Sequence, residues 1–147
     1  MTLYFVDRSK IDETLQYIDA ILQEMVEQEY DTFMQKLSLE RAIHILIESI
    51  LDVGNMMIDG FIMRDPGSYE DIIDIMIDEN VLPKQDEKAY KDLIQLRSML
   101  VNDYLNIDHA SLKLTVDHHQ EKLRKFSTYI QSYLDNELGV ANAFSNE

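Results

Sequence analysis

The chain has 147 residues, 46% of them hydrophobic, with four Gly, two Pro and no Cys. That predicts one globular, helix-rich domain with a real core, and it excludes a disulfide framework or a thiolate metal site. Lys and Arg total 13 against 28 Asp and Glu, a net charge of −15 that opposes non-specific contact with nucleic acid or anionic lipid, so any RNA chemistry needs a local positive site.

Met1-Thr-Leu-Tyr-Phe-Val lacks the basic and apolar regions of a signal peptide. No apolar run approaches the roughly 18 residues of a membrane helix. A cytoplasmic protein with no membrane partner is expected.

Ser9 is placed to cap a first helix, with Asp12 three residues on. Ile11, Leu15, Ile18, Leu22 and Met25 then recur at helical period, and the helix is expected to end between Glu29 and Thr32. A second helix is predicted from after Ser38 to about Met63. Ile43, Leu46, Ile47, Ile50, Gly54, Met57, Ile58 and Phe61 form its apolar face. Gly54 costs about 1 kcal/mol against Ala in mid-helix, which implies close approach of another backbone from this chain or a second copy. The opposite stripe is polar: Arg41, His44, Glu48, Asp52, Asn55 and Asp59.

Pro66 and Gly67 make the clearest turn in the chain. Ser68 caps a short third helix whose core face is Tyr69, Ile72, Ile73, Met76 and Ile77. Asp71, Asp74, Asp78 and Glu79 crowd its other face. Without His or a ligand-bearing turn they read as solvated charges rather than a metal site, so no metal is expected. Asp86 caps a fourth helix running to about Leu105, and Asp108 a fifth running to about Glu137, with Gly139 as the stop. The fifth carries Leu112, Val116, His119, Leu123, Phe126, Ile130, Tyr133 and Leu134 on one stripe. His119 reads as a satisfied interface histidine or a catalytic one. Lys122, Arg124 and Lys125 form the densest basic patch, and residues 140–147 are expected to be a loose tail. No alternating stretch is long enough to build a sheet. The expected fold is all-α, an antiparallel bundle of four or five helices in a single domain over residues 1–147.

The fourth helix holds the informative stretch. Tyr90, Leu93, Ile94, Leu100 and Val101 form an apolar stripe with Arg97 in its middle. Residues seven apart differ by about 20° on a helix, so Arg97 and Tyr104 are expected to point the same way two turns apart. A guanidinium on an apolar face needs a partner. Either it is a structural Arg neutralised by Glu48, Asp52 or Asp59 across a helix contact, or it marks a site.

Arg97, four residues, Asn102, one residue and Tyr104 together resemble the Arg-x4-His-x-Tyr signature of the HepT-like toxins of the HEPN superfamily, with Asn102 at the His position. The helix lengths, the Gly54-Asn55 pair, the Pro66-Gly67-Ser68-Tyr69 segment and the long closing helix extend the resemblance over essentially the whole chain, nearest to the YutE-like members. The resemblance implies a homodimeric, metal-independent endoribonuclease toxin with no cofactor. Paired motifs would face one another across a cleft, with Arg97 on the phosphate. It further implies that Tyr104 accepts AMP from an MntA-like nucleotidyltransferase antitoxin.

Asn102 separates this chain from the pattern. Such cleavage needs a base for the 2′-hydroxyl, an acid for the leaving oxygen and positive charge on the phosphate. A carboxamide positions a water or phosphate but does not titrate near neutral pH. His119 or Tyr104 are the substitutes the sequence offers. Arg97 and Asn102 are also about 140° apart on an ideal helix, so a shared cleft needs a helix irregularity or a second protomer. Three readings follow: a ribonuclease using Arg97, Asn102 and Tyr104 with support from Glu48, Asp52 or His119; a degenerate HEPN dimer that binds a nucleotide, RNA or protein without cutting; and a structural bundle.

Overall fold

The structure, a computed structural model, describes residues 6–145, and for residues 140–145 the backbone alone. Among the described residues it is all-helical: α1 (Arg8–Glu27), α2 (Phe33–Gly60), α3 (Tyr69–Asp78), α4 (Glu87–Asn102), α5 (His109–Leu123) and α6 (Phe126–Ser145), with one 3₁₀ turn at Lys84–Asp86. No described helix is long and apolar enough to cross a membrane.

The 28-residue α2 is the axis, and α1, α3, α4 and α5 all pack against it. Its apolar face from Leu39 to Ile58 meets the predicted α1 stripe, every member of which is buried. Contacts at successive levels show that α3 and α4, α4 and α5, and α1 and α6 run in opposite directions. Asp74 and Glu70 of α3 meet Lys91 and Gln95 of α4, and Asp92 and Tyr90 of α4 meet His119 and Lys122 of α5. Arg8 and Asp12 at the start of α1 meet Gln131 of α6.

Helix boundaries differ from the sequence reading where capping chemistry competes. Asp7, not Ser9, caps α1 by accepting from the Lys10 amide. α2 starts before Ser38, at a reciprocal capping box between Thr32 and Gln35. The predicted fifth helix is two. Lys125 N–H bonds the Lys122 carbonyl three residues back, and the chain turns there between α5, which packs on α4 and α2, and α6, which packs on α1. The apolar spacing runs unbroken through the turn, since Leu123, Phe126 and Ile130 are all buried, so periodicity carried no sign of it. α6 continues through Gly139 as helix. The tail expected from residue 140 falls on backbone that is helical to Ser145, on side chains outside the described residues, and on residues 146–147, which also lie outside them.

The atoms nearest Gly54 are side chains rather than a neighbouring backbone. An added Cβ would overlap the Ile72 side chain of α3 and touch Met76 Sδ at 3.5 Å, so the close approach lies within this chain. It seats the N-terminal half of α3 on α2 and so fixes where Tyr69 stands.

Candidate functional site

Arg97 sits where α4 leaves the core. Tyr90, Leu93 and Ile94 are fully buried, Leu100 is half-buried, and Val101 is 40% exposed. The Arg97 side chain is 26% exposed and donates from Nε to Glu48 Oε1 of α2 at 2.6 Å. Its guanidinium lies 4.5 Å from the centre of the Tyr69 ring of α3. Of the three carboxylates the sequence offered as partner, the packing register selects Glu48, which pushes the guanidinium further toward its charged form. The bond to Glu48 uses Nε. Among the described residues neither Nη atom takes a hydrogen-bond partner, so the fork that binds phosphate oxygens remains available.

Tyr69 was expected in the core stripe. It is 49% exposed instead, at the first position of α3, forming a floor under the guanidinium. Asp52, one turn beyond Glu48, is exposed and makes no bond to Arg97. Burial first, and then the Glu48 charge, push its carboxyl above the usual range against the pull of Lys10.

The motif's second half differs from the sequence expectation. α4 ends at Asn102, its last residue, where the exposed side chain donates to Ser98 Oγ at 3.3 Å. Tyr104 lies past the helix end, in a turn closed by Asn106 N–H bonding the Asp103 carbonyl, and is 66% exposed. It therefore does not stack two turns above Arg97 on one helical edge. The helix stops because Asn102 and Asp103 are weak helix formers and nothing buries Val101, Tyr104 or Leu105 to hold a further turn.

His119 is 7% exposed and bonded to Asp92 Oδ2 at 2.8 Å, the satisfied interface histidine of the two readings. Burial raises the Asp92 carboxyl, but hydrogen bonds from His119 and Lys88 outweigh it and leave the group below its usual range. The acidic face of α3 is ion-paired: Arg64 holds Asp71 and Asp78, and Lys91 holds Asp74. Among the described residues no group of three His, Asp or Glu is arranged to hold a metal ion. Of the basic patch, Lys122 is tied to the Gln85 carbonyl.

His44 is the feature the sequence reading passed over. It lies one turn before Glu48, with Nε2 3.7 Å from the same Oε1 that takes the Arg97 bond, and its side chain is 30% exposed. The four-residue spacing of His44 and Glu48 was visible on the polar stripe. The sequence offered three carboxylates of this stripe as partners of Arg97, and only the register that selects Glu48 brings His44 to the same oxygen.

The sequence model of the family described as "Ribonuclease HepT-like" matches residues 11–130. A Bacillus subtilis (strain 168) protein named "Putative RNase YutE" is 47% identical over 143 residues, which are 97% of this chain and 99% of that protein. The solved structure described as "Structure of Cytosolic Protein of Unknown Function YutE from Bacillus subtilis" superposes with a TM-score of 0.90 at 47% identity, covering 93% of this chain and 96% of that one.

Proposed function

The chain belongs to the HepT-like ribonuclease family, and from that premise we propose that it is a cytoplasmic, metal-independent endoribonuclease of the toxin type, acting as a homodimer on RNA. The observation that carries this reading is the Arg97 arrangement. A cation is held by Glu48 and Tyr69 with its Nη fork unengaged, in a chain whose net charge of −15 would otherwise repel RNA. A guanidinium so fixed binds a phosphodiester and stabilises the charge that grows on it when the 2′-hydroxyl attacks phosphorus. Asn102 serves to position water or a phosphate oxygen.

One protomer brings one such arginine to an acidic surface. Val101, Tyr104 and Leu105, at 40, 66 and 83% exposure, form an apolar cluster at the end of α4 that supports a two-fold interface there. Pairing two helix ends would also bring the Asn102 and Tyr104 of one copy toward the Arg97 of the other, overcoming the divergence of these residues within one helix. The exposure of Tyr104 supports its role as AMP acceptor. Its Oη would attack the α-phosphorus of ATP bound by an MntA-like nucleotidyltransferase and release pyrophosphate, leaving an anion on the motif.

A second reading, a dimer that binds nucleotide, RNA or protein without cutting, is favoured by one observation: the position that should transfer a proton holds Asn102. Incubation with RNA in EDTA separates the two. Wild type is expected to cleave, Arg97→Ala to lose on the order of 10²- to 10³-fold, and Asn102→His to gain. RNA left intact by both wild type and Asn102→His would overturn the ribonuclease reading. Light scattering tests the dimer, and a monomer at micromolar concentration removes the shared cleft.

A further inference from the structure

We infer that His44 of α2 supplies the proton-transfer group that the α4 motif lacks. The inference rests on the ribonuclease reading and deepens it. The chain has four histidines. His119 is buried against Asp92. His109 is held to Glu40 Oε2 at 2.7 Å. His118 packs edge-on against His119 on the α5 surface. Only His44 approaches an atom that Arg97 also uses. Glu48 Oε1 lies 2.6 Å from Arg97 Nε and 3.7 Å from His44 Nε2, so the imidazole nitrogen can be no farther from the guanidinium Nε than those two distances laid end to end. The imidazole and the guanidinium thus share one carboxylate oxygen and stand close enough for a single nucleotide to span them.

The arrangement has the parts that acid–base chemistry needs. His44 is 30% exposed and can meet substrate. With Nε2 turned toward Glu48, Nδ1 is the ring atom presented to the 2′-hydroxyl. The Glu48 carboxylate lies 3.7 Å from Nε2, near enough to offset the charge on an imidazolium formed in the step, while it holds the arginine that binds the phosphate. In the step, Nδ1 takes the 2′-hydroxyl proton and the 2′-oxygen bonds to phosphorus. The bond from phosphorus to the 5′-oxygen breaks, and that oxygen takes a proton from water. The hydroxide left behind recovers a proton from His44. The products are a 2′,3′-cyclic phosphate and a 5′-hydroxyl, with nothing oxidised or reduced and no co-reactant consumed.

The charged and titratable groups around this row are Glu40, Glu48 and Asp52 on α2, Arg97 on α4, His109 on α5, Tyr69 on α3 and Lys10 on α1. The carboxylates stand on His44's own helix, one turn to either side and two turns on.

The experiment is steady-state cleavage of an RNA oligonucleotide in EDTA across about pH 5 to 9. Wild type, His44→Gln, His119→Gln and Asn102→His are compared, with a 2′-deoxy control substrate. His44→Gln is expected to lower kcat on the order of 10²- to 10⁴-fold with KM little changed, and to abolish the limb of kcat that rises with pH. His119→Gln is expected to keep both. Wild-type kcat and an intact limb in His44→Gln overturn the His44 assignment and leave the ribonuclease reading standing. Cleavage by Asn102→His but not by wild type overturns the His44 assignment and shows that the natural chain, with Asn102, does not cut. Intact RNA with both of those proteins overturns the two together. The wild-type profile is a test that needs no variant: a kcat that does not rise with pH overturns the assignment even if His44→Gln fails to fold.

Discussion

Gly54→Ala is expected to destabilise the fold by about 1 kcal/mol, against the sign that helix propensity alone would give. A new Cβ falls on Ile72 Cγ2 and stands 3.5 Å from Met76 Sδ. Methionine can yield, but Ile72 is 3% exposed, and a β-branched side chain on a helix has one strongly preferred χ1, so α3 itself must move. Overpacking of this kind costs about 1–3 kcal/mol, and Ala in place of mid-helix Gly returns about 1 kcal/mol. Removing the obstacle should reverse the sign. In an Ile72→Ala background the same substitution should stabilise by about 1 kcal/mol, a coupling of about 1–3 kcal/mol between the sites. Urea unfolding of the four proteins measures this through the midpoint at constant m. Because Ile72 is three residues from Tyr69, RNA cleavage should fall in the single Gly54 variant as the ring leaves the guanidinium. An equal effect of Gly54→Ala in both backgrounds would refute the steric argument.

Four further outcomes follow from local chemistry. Ile62 holds a φ of 55° just past the end of α2 and is 69% exposed, so Ile62→Gly should relieve backbone strain and stabilise by about 1 kcal/mol in the same assay. Thr32→Ala removes the cap of α2 and should cost about 1 kcal/mol in thermal or urea unfolding. Burial, and then the bond to Asp86, push the Tyr129 hydroxyl up to about 12, above its ordinary 10, and burial pushes Tyr90 higher still. Both keep their protons in the folded chain when the unfolded chain has lost them. Their contribution is therefore complete below pH 10 and fades as pH rises toward about 12 for Tyr129, so urea midpoints should fall across that window and fall less steeply in Tyr129→Phe. Finally, His119→Ala leaves Asp92 without its ring partner and should cost about 1–3 kcal/mol in urea unfolding while sparing kcat per folded molecule.

Much of the site was legible without coordinates. An arginine among Tyr90, Leu93 and Ile94 had to be paired, and the carboxylates of α2 were its candidate partners. The choice of Glu48 over Asp52 and Asp59 was not legible, because it depends on the axial register of α4 against α2. Tyr69 read as a core residue by spacing, yet it stands at the first turn of α3, where the helix has not reached the core and the guanidinium takes the ring's face. Tyr104 read as helical because Arg97, Leu100, Val101 and Tyr104 keep helical period. Periodicity does not register that a turn with no buried neighbour gains too little to stay wound.

The sequence by itself determined the helical class, the buried stripes of α1 and α2, the turn at Pro66-Gly67, the cap at Ser68 and the family signature that begins at Arg97. These are encoded within a turn or two of chain, by side-chain spacing and by donors that can reach their own backbone. Only the tertiary structure decided that Glu48 lies between Arg97 and His44, that Ile72 fills the gap above Gly54, and that the last long helical stretch turns at Lys125. Each of these joins or redirects elements far apart in sequence. They follow from how rigid helices settle against one another, a packing outcome to which every side chain in the core contributes.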